Sequence, residues 1–235
     1  YGTRRIGDLP PDAFEEPHFR LMDAHNPSVA GKMLALAPRV VSFLSHVFRD
    51  TPVAMQSLTF KYGSEQATHQ DFPYVVSGVT SHLAASWIAL EDVHPDAGPL
   101  GYFPGSHTIR KFDWEDGLHY HPGVKKNPDH FKVHLEEECR KAGLEQKTFC
   151  AKKGDVFIWH AALAHSGRPV NTPGITRKSF VTHFSTKQAY TFDRRAPQQP
   201  PVKFALNGGL VFGDPIAPQD ENVLTRGGAV PSIVP

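Results

Sequence analysis

The chain has 235 residues, with 25 Lys and Arg against 24 Asp and Glu, so its formal net charge is +1. This balance provides neither the basic surface typical of nucleic-acid-binding proteins nor a polybasic patch for membrane binding. Its 2 cysteines are too few for a disulfide framework, and no apolar run approaches the roughly 18 residues of a membrane-spanning helix. The 14 histidines direct attention to metal or proton chemistry.

The first predicted element is a helix that follows a polar, proline-rich segment without clear period, residues 1–25. Asn26 has the character of an N-cap, and Pro27 would then occupy the first helical position. Apolar residues recur at helical spacing up to Phe48. Pro38 interrupts this run, which predicts two helical pieces or a kink, packed against a core.

After this helix the pattern becomes that of short strands, rich in β-formers and bounded by Gly, Pro and Asp. A further helix is predicted over residues 128–141, inside an insertion that spans residues 108–150. Short strands after an N-terminal helix favour a β-sandwich or barrel over alternating βαβ units. The predicted strands are residues 53–61, 83–91, 101–103, 147–150, 156–159 and 178–184.

His69 and Asp71 are the first residues whose spacing suggests a metal site. Residues two apart on an extended strand point to the same face, so one imidazole and one carboxylate could reach a single ion. A third ligand must come from elsewhere, and His160 and His165 are the candidates. Two histidines and one carboxylate form the facial triad of a non-haem Fe(II) oxygenase, which leaves three coordination positions open.

A cation on the last predicted strand fits the same chemistry. A 2-oxo acid can fill two of the open positions, and its far carboxylate then calls for arginine, because a guanidinium offers a rigid bidentate fork. Arg177 and Ser179 share one face of that strand, and alternation places Val181 and His183 on the same, inward face. Arg168 is the competing candidate, since it also follows the last histidine.

Several motifs carry a resemblance to a known family. They are Met55-Gln56-Ser57, His69-Gln70-Asp71, the stretch 86–92, Gly98-Pro99-Leu100, Pro104-Gly105-Ser106-His107, and Gly154-Asp155-Val156 leading to His165 and Arg177. Together they resemble the phytanoyl-CoA dioxygenase family over residues 53–185. The resemblance implies a double-stranded β-helix, which is a jelly-roll or cupin-like fold, with Fe(II) as cofactor and 2-oxoglutarate as cosubstrate.

Carried over position by position, the resemblance implies that His69, Asp71 and His165 are the iron ligands. Related halogenases lack the carboxylate, so the presence of Asp71 favours hydroxylation or a similar oxidation. His160 is then expected to lie at the surface or behind the ligands. We expect His107 to hydrogen-bond within its Pro-Gly-Ser-His turn.

For the cosubstrate, the resemblance implies that Arg177 holds the distal carboxylate, that Trp87 lies beside 2-oxoglutarate, and that Leu58 touches it. The strand period places Gln56 on the same face as Leu58, which makes it a further candidate contact. The chain departs from the family in two ways. The gap between the last histidine and the arginine is one residue longer, and Gly167 stands where relatives often carry a hydroxyl.

These features predict one domain, with a β-helix core over residues 52–185, the insertion at the mouth of the site, and an irregular tail over residues 186–235. We expect a 2-oxoglutarate-dependent dioxygenase that oxidises a C–H bond of a small organic molecule and releases succinate and CO2. The expected partners are that small molecule and dioxygen, without nucleic acid or membrane, in the cytoplasm. The alternative is a cupin-like module that binds a metal or ligand without turnover and needs the triad but not Arg177.

Overall fold

The structure is a computed structural model that describes residues 6–75, 77–115, 117–121, 123–191, 203–212 and 233–234. Within these ranges the chain forms two β-sheets with three α-helices. The strands are β1 (Arg20–Met22), β2 (Pro52–Phe60), β3 (Ala84–Ala89), β4 (Leu100–Tyr102), β5 (Lys147–Phe149), β6 (Val156–His160), β7 (His165–Gly167), β8 (Ser179–Thr186), β9 (Lys203–Leu206), β10 (Gly209–Phe212) and β11 (Ile233–Val234).

The larger sheet has, among the described strands, the order β11-β9-β10-β2-β8-β3-β6, with β1 paired beside β2. The smaller sheet has the order β5-β4-β7. The pairings β2–β8, β3–β8 and β3–β6 are antiparallel, as are β4–β5 and β4–β7. Residues of both sheets line one cavity. This is the double-stranded β-helix that the motifs imply, so the predicted fold class is confirmed.

The helices are α1 (Val29–Ala35), α2 (Pro38–Phe48) and α3 (Pro128–Lys141). The interruption predicted at Pro38 is confirmed, because this residue starts a second helix. The predicted cap is wrong. Ser28 caps α1 and accepts a hydrogen bond from the Gly31 N–H, because its hydroxyl can reach that amide three residues on.

Strand alternation on β8 separates the two faces of the larger sheet. Phe180 and Phe184 point outward and pack with Val41 and Leu44 of α2 in one apolar cluster. Val181 and the other odd-numbered positions point inward, toward the smaller sheet. Burial of the outward phenylalanines fixes the register of β8, because a slip of one residue would exchange the two faces.

Two segments differ from the prediction. Residues 20–22 pair with β2, although the sequence around them shows no strand period. The tail is not irregular throughout, because β9 and β10 form an antiparallel hairpin and β10 pairs with the start of β2. Phe204 and Val211 of this hairpin join the apolar cluster on the outer face, which supplies the burial that a short isolated hairpin lacks.

The described helices are too short and too polar for any of them to cross a bilayer. The turn after β4 is held by Ser106 rather than by His107, which corrects the prediction. The Ser106 hydroxyl donates to the carbonyl of Phe103 at 2.7 Å and accepts from the Ala164 N–H at 2.8 Å. Ser106 can do both because a hydroxyl has one donor hydrogen and two acceptor lone pairs. Its side chain is fully buried inside the turn, whereas His107 is exposed.

Candidate metal and cosubstrate site

The backbone brings His69, Asp71 and His165 together. His69 and His165 exchange N–H···O=C hydrogen bonds of 2.9 Å in each direction, as an isolated antiparallel bridge. The Asp71 N–H donates to the carbonyl of Ala161 at 2.8 Å, which anchors the turn that carries the carboxylate. The local His-x-Asp segment is thereby attached at one end to β7, which supplies the distal histidine, and at the other end to the turn between β6 and β7.

The three side chains form the one group of His, Cys, Asp or Glu ligands close enough to share a metal ion among the described residues. Their candidate ligand atoms all lie within 4.8 Å of one another. Asp71 Oδ1 is 3.6 Å from His69 Nε2 and 3.5 Å from His165 Nε2. Two imidazoles and one carboxylate match the donor set of a non-haem Fe(II) site.

Hydrogen bonds behind the ligands fix their orientation. The Nδ1–H groups of His69 and His165 donate to the carbonyls of Ala67 at 2.8 Å and Leu163 at 3.0 Å. Each imidazole therefore turns its Nε2 lone pair toward the shared centre. Burial lowers the pKa of His165 to about 4, partly offset by Asp71, so this ring is neutral and available as a ligand at pH 7.

The other oxygen of Asp71 is held by a second set of groups. The indole N–H of Trp159 donates to Asp71 Oδ2 at 2.8 Å, and His183 Nε2 lies 3.6 Å from the same oxygen. Burial raises the pKa of this carboxyl, but the neighbouring imidazoles of His165 and His183 outweigh burial and hold it well below its usual value. The carboxylate is thus ionised, with Oδ1 directed at the two histidines.

The triad lies in a cavity of about 400 Å³, within the size range of small-molecule sites. The sequence-predicted residues His69, Asp71, His165, Arg177, Trp87, Gln56 and Leu58 all line it. Ser179 does not. Its neighbours across the strands, Phe60 and Ala89, show that it lies in the inward row. It is fully buried there, and its hydroxyl has no hydrogen-bond partner among the described residues.

Arg177 has the environment of an anion-binding residue. Only 2% of its surface is exposed, and one guanidinium nitrogen donates to the carbonyl of Gly98 at 3.1 Å. The guanidinium carbon lies 5.5 Å from the Trp87 ring and 5.8 Å from the Phe60 ring, and within the described part of the chain the Nε–H has no hydrogen-bond partner. Burial lowers the pKa of Arg177 to about 10, which still leaves it charged at pH 7. A buried, half-satisfied cation of this kind fits a bound carboxylate.

Gln56 reaches the cavity because β2 carries an irregularity. Ala54 pairs with Phe184 on the outward face, whereas Gln56 pairs with His183 on the inward face, with a register shift between them. A bulge adds one residue to a strand and reverses the faces that follow. Leu58 continues the inward row opposite Val181, so the shared face predicted for Gln56 and Leu58 is confirmed.

The competing candidates lie outside the cavity. The ring of His160 accepts from the Ala162 N–H at 3.1 Å, and the residue is exposed. Arg168 is also exposed and donates to the side-chain oxygen of Gln146. Gly167 has no room for the hydroxyl that relatives often carry at this position, because an added Cβ would lie 2.5 Å from Ser64 Oγ.

Several residues that line the cavity escaped the sequence analysis as contributors to the site, among them Arg20, Met22, Tyr74 and Phe131. Arg20 and Met22 line it from β1, where Arg20 lies opposite Phe60. Tyr74 and Phe131 line it from the turn after Asp71 and from α3. Arg20 and Arg177, both adjacent to Phe60, are hereafter the arginine end of the cavity. Tyr74 and Phe131 are hereafter the aromatic wall. A three-residue strand offers too little period to be recognised, and the insertion contains no motif that marks Phe131.

Comparison with known sequences gives a consistent result. A sequence model described as phytanoyl-CoA dioxygenase (PhyH) matches residues 7–179. The chain is 29% identical over 104 residues to phytanoyl-CoA dioxygenase domain-containing protein 1 of Mus musculus, covering 43% of the chain and 35% of that protein. It is 25% identical over 159 residues to the protein of the same name from Danio rerio, covering 65% of the chain and 51% of that protein. The chain therefore spans from about a third to half of the length of these relatives.

Solved structures share the fold. The non-haem alpha ketoglutarate dependent carbocyclase SnoK from nogalamycin biosynthesis is 17% identical, with a TM-score of 0.59 over 82% of this chain and 75% of that one. The epimerase SnoN, solved with Fe3+, alpha ketoglutarate and nogalamycin RO, is 20% identical, with a TM-score of 0.56 over 91% of this chain and 72% of that one. EctD from S. alaskensis, solved with 2-oxoglutarate and 5-hydroxyectoine, is 21% identical, with a TM-score of 0.55 over 72% of this chain and 57% of that one. At these identities the likeness concerns the double-stranded β-helix alone.

Proposed function

The chain belongs to the phytanoyl-CoA dioxygenase family, and from this premise we propose that it is an Fe(II)- and 2-oxoglutarate-dependent oxygenase that hydroxylates a C–H bond of a small organic molecule. When bound, Fe(II) and 2-oxoglutarate supply the chemistry by which dioxygen converts 2-oxoglutarate to succinate and CO2 and a substrate C–H to C–OH. The residues of this chain bind, orient and shield these reactants.

Iron would be held by His69, Asp71 and His165, whose donor set leaves three coordination positions for other ligands. Asp71 contributes through one oxygen, because Trp159 already occupies the other with its indole N–H. An intact carboxylate at this position supports hydroxylation over halogenation, since it occupies the position that a halide would need. The cavity walls exclude water from the centre, as the 6% or lower exposure of Asp71 and His165 indicates.

The observation that carries the proposal is the buried guanidinium of Arg177 in the same cavity as the triad. Among the described residues no carboxylate forms an ion pair with it, although burial of an unpaired charge is costly. A dicarboxylic 2-oxo acid resolves both features, because one end chelates the metal and the other end pairs with Arg177. A module that bound only a metal would have no use for this residue.

The proposal is tested by two measurements on the same protein. Under nitrogen, Fe(II) and 2-oxoglutarate together should produce a visible metal-to-ligand charge-transfer band that neither gives alone. In air with ascorbate, the protein should release succinate slowly even without its own substrate, and a His69→Ala variant should not. A band without succinate across a broad panel of small molecules would favour the binding module. The absence of the band would remove 2-oxoglutarate from the site.

A further inference from the structure

The aromatic wall begins next to the metal ligands. Tyr74 and Val75 both donate their N–H groups to the carbonyl of Asp71, at 2.9 Å each, so one tight turn joins the metal ligand to the wall. Tyr74 and Val75 line the cavity at this turn, and Phe131 lines it from α3. A molecule in contact with the wall would therefore lie beside the triad.

The wall is backed by further rings, and Phe131 is itself almost fully buried, with 1% of its surface exposed. The centroids of Tyr74 and Phe131 are 6.2 Å apart, and Trp114 lies 6.1 Å from Tyr74 and 5.2 Å from Phe131. Trp114 is fully buried in the cluster that holds α3 to the domain. Tyr74 keeps 37% of its surface exposed, so its ring remains accessible to a ligand. Preorganised rings of this kind stack on planar or cyclic groups with little loss of entropy.

The wall lacks charge. Of the described residues that line the cavity, the cations Arg20 and Arg177 both lie at the arginine end, and the carboxylate of Asp71 faces the histidines. The phenol of Tyr74 is uncharged at pH 7, as the side chain of an ordinary tyrosine is. A charged group bound against this wall would be desolvated without a partner.

We propose that the aromatic wall binds an uncharged, ring-bearing substrate, whose C–H bond is thereby presented to the triad. This inference rests on the proposed oxygenase function and adds the class of its substrate. Gln66 and Thr68, which line the cavity beside His69, provide amide and hydroxyl groups for neutral polar substituents of such a molecule. The arginine end would remain available to bind the distal carboxylate of 2-oxoglutarate.

The test uses three probes that share one ring system and differ in charge: 2-naphthylmethanol, 2-naphthoate and 2-naphthylmethylammonium. Their binding is measured by calorimetry on protein loaded with Co(II) and saturating 2-oxoglutarate, which gives affinity without turnover. The alcohol should bind at least about tenfold more tightly than either charged probe, because only the charged probes are desolvated without a partner. Equal binding of the three probes would overturn the proposal.

Variants locate the binding. Tyr74→Leu and Phe131→Leu each introduce an apolar side chain but remove a ring face. Each should lower the affinity for the alcohol about three- to tenfold. Tyr74→Phe should bind it as the unchanged protein does. The matched control is Phe43→Leu, since Phe43 is 51% exposed on α2, outside the cavity. Affinity for the alcohol that is the same in both leucine variants and in the control would overturn the proposal.

The readouts separate the two hypotheses. Each variant should retain the circular dichroism spectrum and the 2-oxoglutarate affinity of the unchanged protein, because Arg177 is untouched. If Phe131→Leu unfolds the insertion, the Tyr74→Leu variant and the comparison of the three probes still test whether the wall binds an uncharged ring. If the alcohol binds preferentially but the Fe(II) protein releases no succinate, the proposed substrate class is supported and the proposed oxygenase function is contradicted. If succinate is released but the alcohol is not preferred, the proposed oxygenase function stands and the proposed substrate class is overturned.

Discussion

The two ends of the cavity use different physics to hold a small molecule. At the arginine end, Arg177 lies just before β8 and is buried against Phe60 of β2 and Trp87 of β3, and recognition depends on one charge. At the aromatic wall, a turn and the insertion contribute rings, and recognition depends on shape and contact area. A buried charge needs a rigid scaffold, because a small displacement leaves it unpaired, whereas a packed wall can change without disturbing the sheet.

The triad lines the same cavity as the arginine end and the aromatic wall, so its loss should disable both. We expect His69→Ala, Asp71→Ala and His165→Ala each to abolish Co(II) binding, because two ligands alone do not complete the facial set. Titration of Co(II), followed by its visible absorption, measures this, with circular dichroism to verify folding. His160→Ala is the control and should bind Co(II) normally, since its ring faces away from the site. Unchanged affinity in any of the three variants would remove that residue from the triad.

Loss of the buried charge should disable the arginine end alone. Arg177→Ala should lower the affinity for 2-oxoglutarate at least about a hundredfold, because breaking a buried ion pair costs about 3–5 kcal/mol. Metal affinity should not change. Arg177→Lys should recover only part of the affinity, since lysine keeps the charge but loses the bidentate fork. The charge-transfer band, titrated under nitrogen, reports the affinity.

Arg168→Ala is the matched control for that experiment, because Arg168 is exposed and held by Gln146. It should change the affinity for 2-oxoglutarate less than about threefold, as expected of a surface charge. The opposite ranking of the two alanine variants would transfer the cosubstrate contact to Arg168.

Trp159→Phe should lower the affinity for the metal without changing the binding of ligands at the arginine end or at the aromatic wall. It removes the N–H that holds Asp71 Oδ2 but keeps a ring against His165, 4.9 Å away between centroids. Co(II) affinity should fall about tenfold, the lower limit for loss of a hydrogen bond behind a metal ligand. Trp114→Phe is the control, because among the described residues that buried indole N–H has no hydrogen-bond partner and its ring packs against Tyr74 and Phe131 rather than against a ligand. An equal loss in both variants would show a general packing effect.

The smallest effect is expected at the rim of the arginine end. Arg20→Gln should lower the affinity for 2-oxoglutarate about two- to fivefold. Arg20 is exposed, and charge interactions of exposed groups contribute roughly 0.2–1 kcal/mol. The loss should shrink with added salt, whereas the loss in Arg177→Ala should not, since buried pairs are screened less. A hundredfold effect of Arg20→Gln would make it an equal partner of Arg177.

Sequence patterns determined the elements whose signals are local. Helix α3 matches its predicted bounds, and the odd-numbered face of β8 follows from alternation alone. His69 and Asp71 could be paired because they lie two residues apart, and the family motifs supplied His165. The hydrogen bond between Trp159 and Asp71 could not be predicted, because 88 residues separate them. Nor could the shift in β2 that turns Gln56 inward, because it depends on pairing with β8.

The sequence by itself therefore determined the fold class and the donor set of the candidate metal site, and it placed Arg177 next to the strand β8, which begins two residues later. Only the tertiary structure decided how the cavity is divided into a charged and an aromatic end. Arg20 reaches the cavity through its pairing with β2, and Phe131 reaches it through packing of the insertion around Trp114. Periodicity reports which face of an element is buried, but contacts between distant segments, which periodicity does not encode, decide what that face meets.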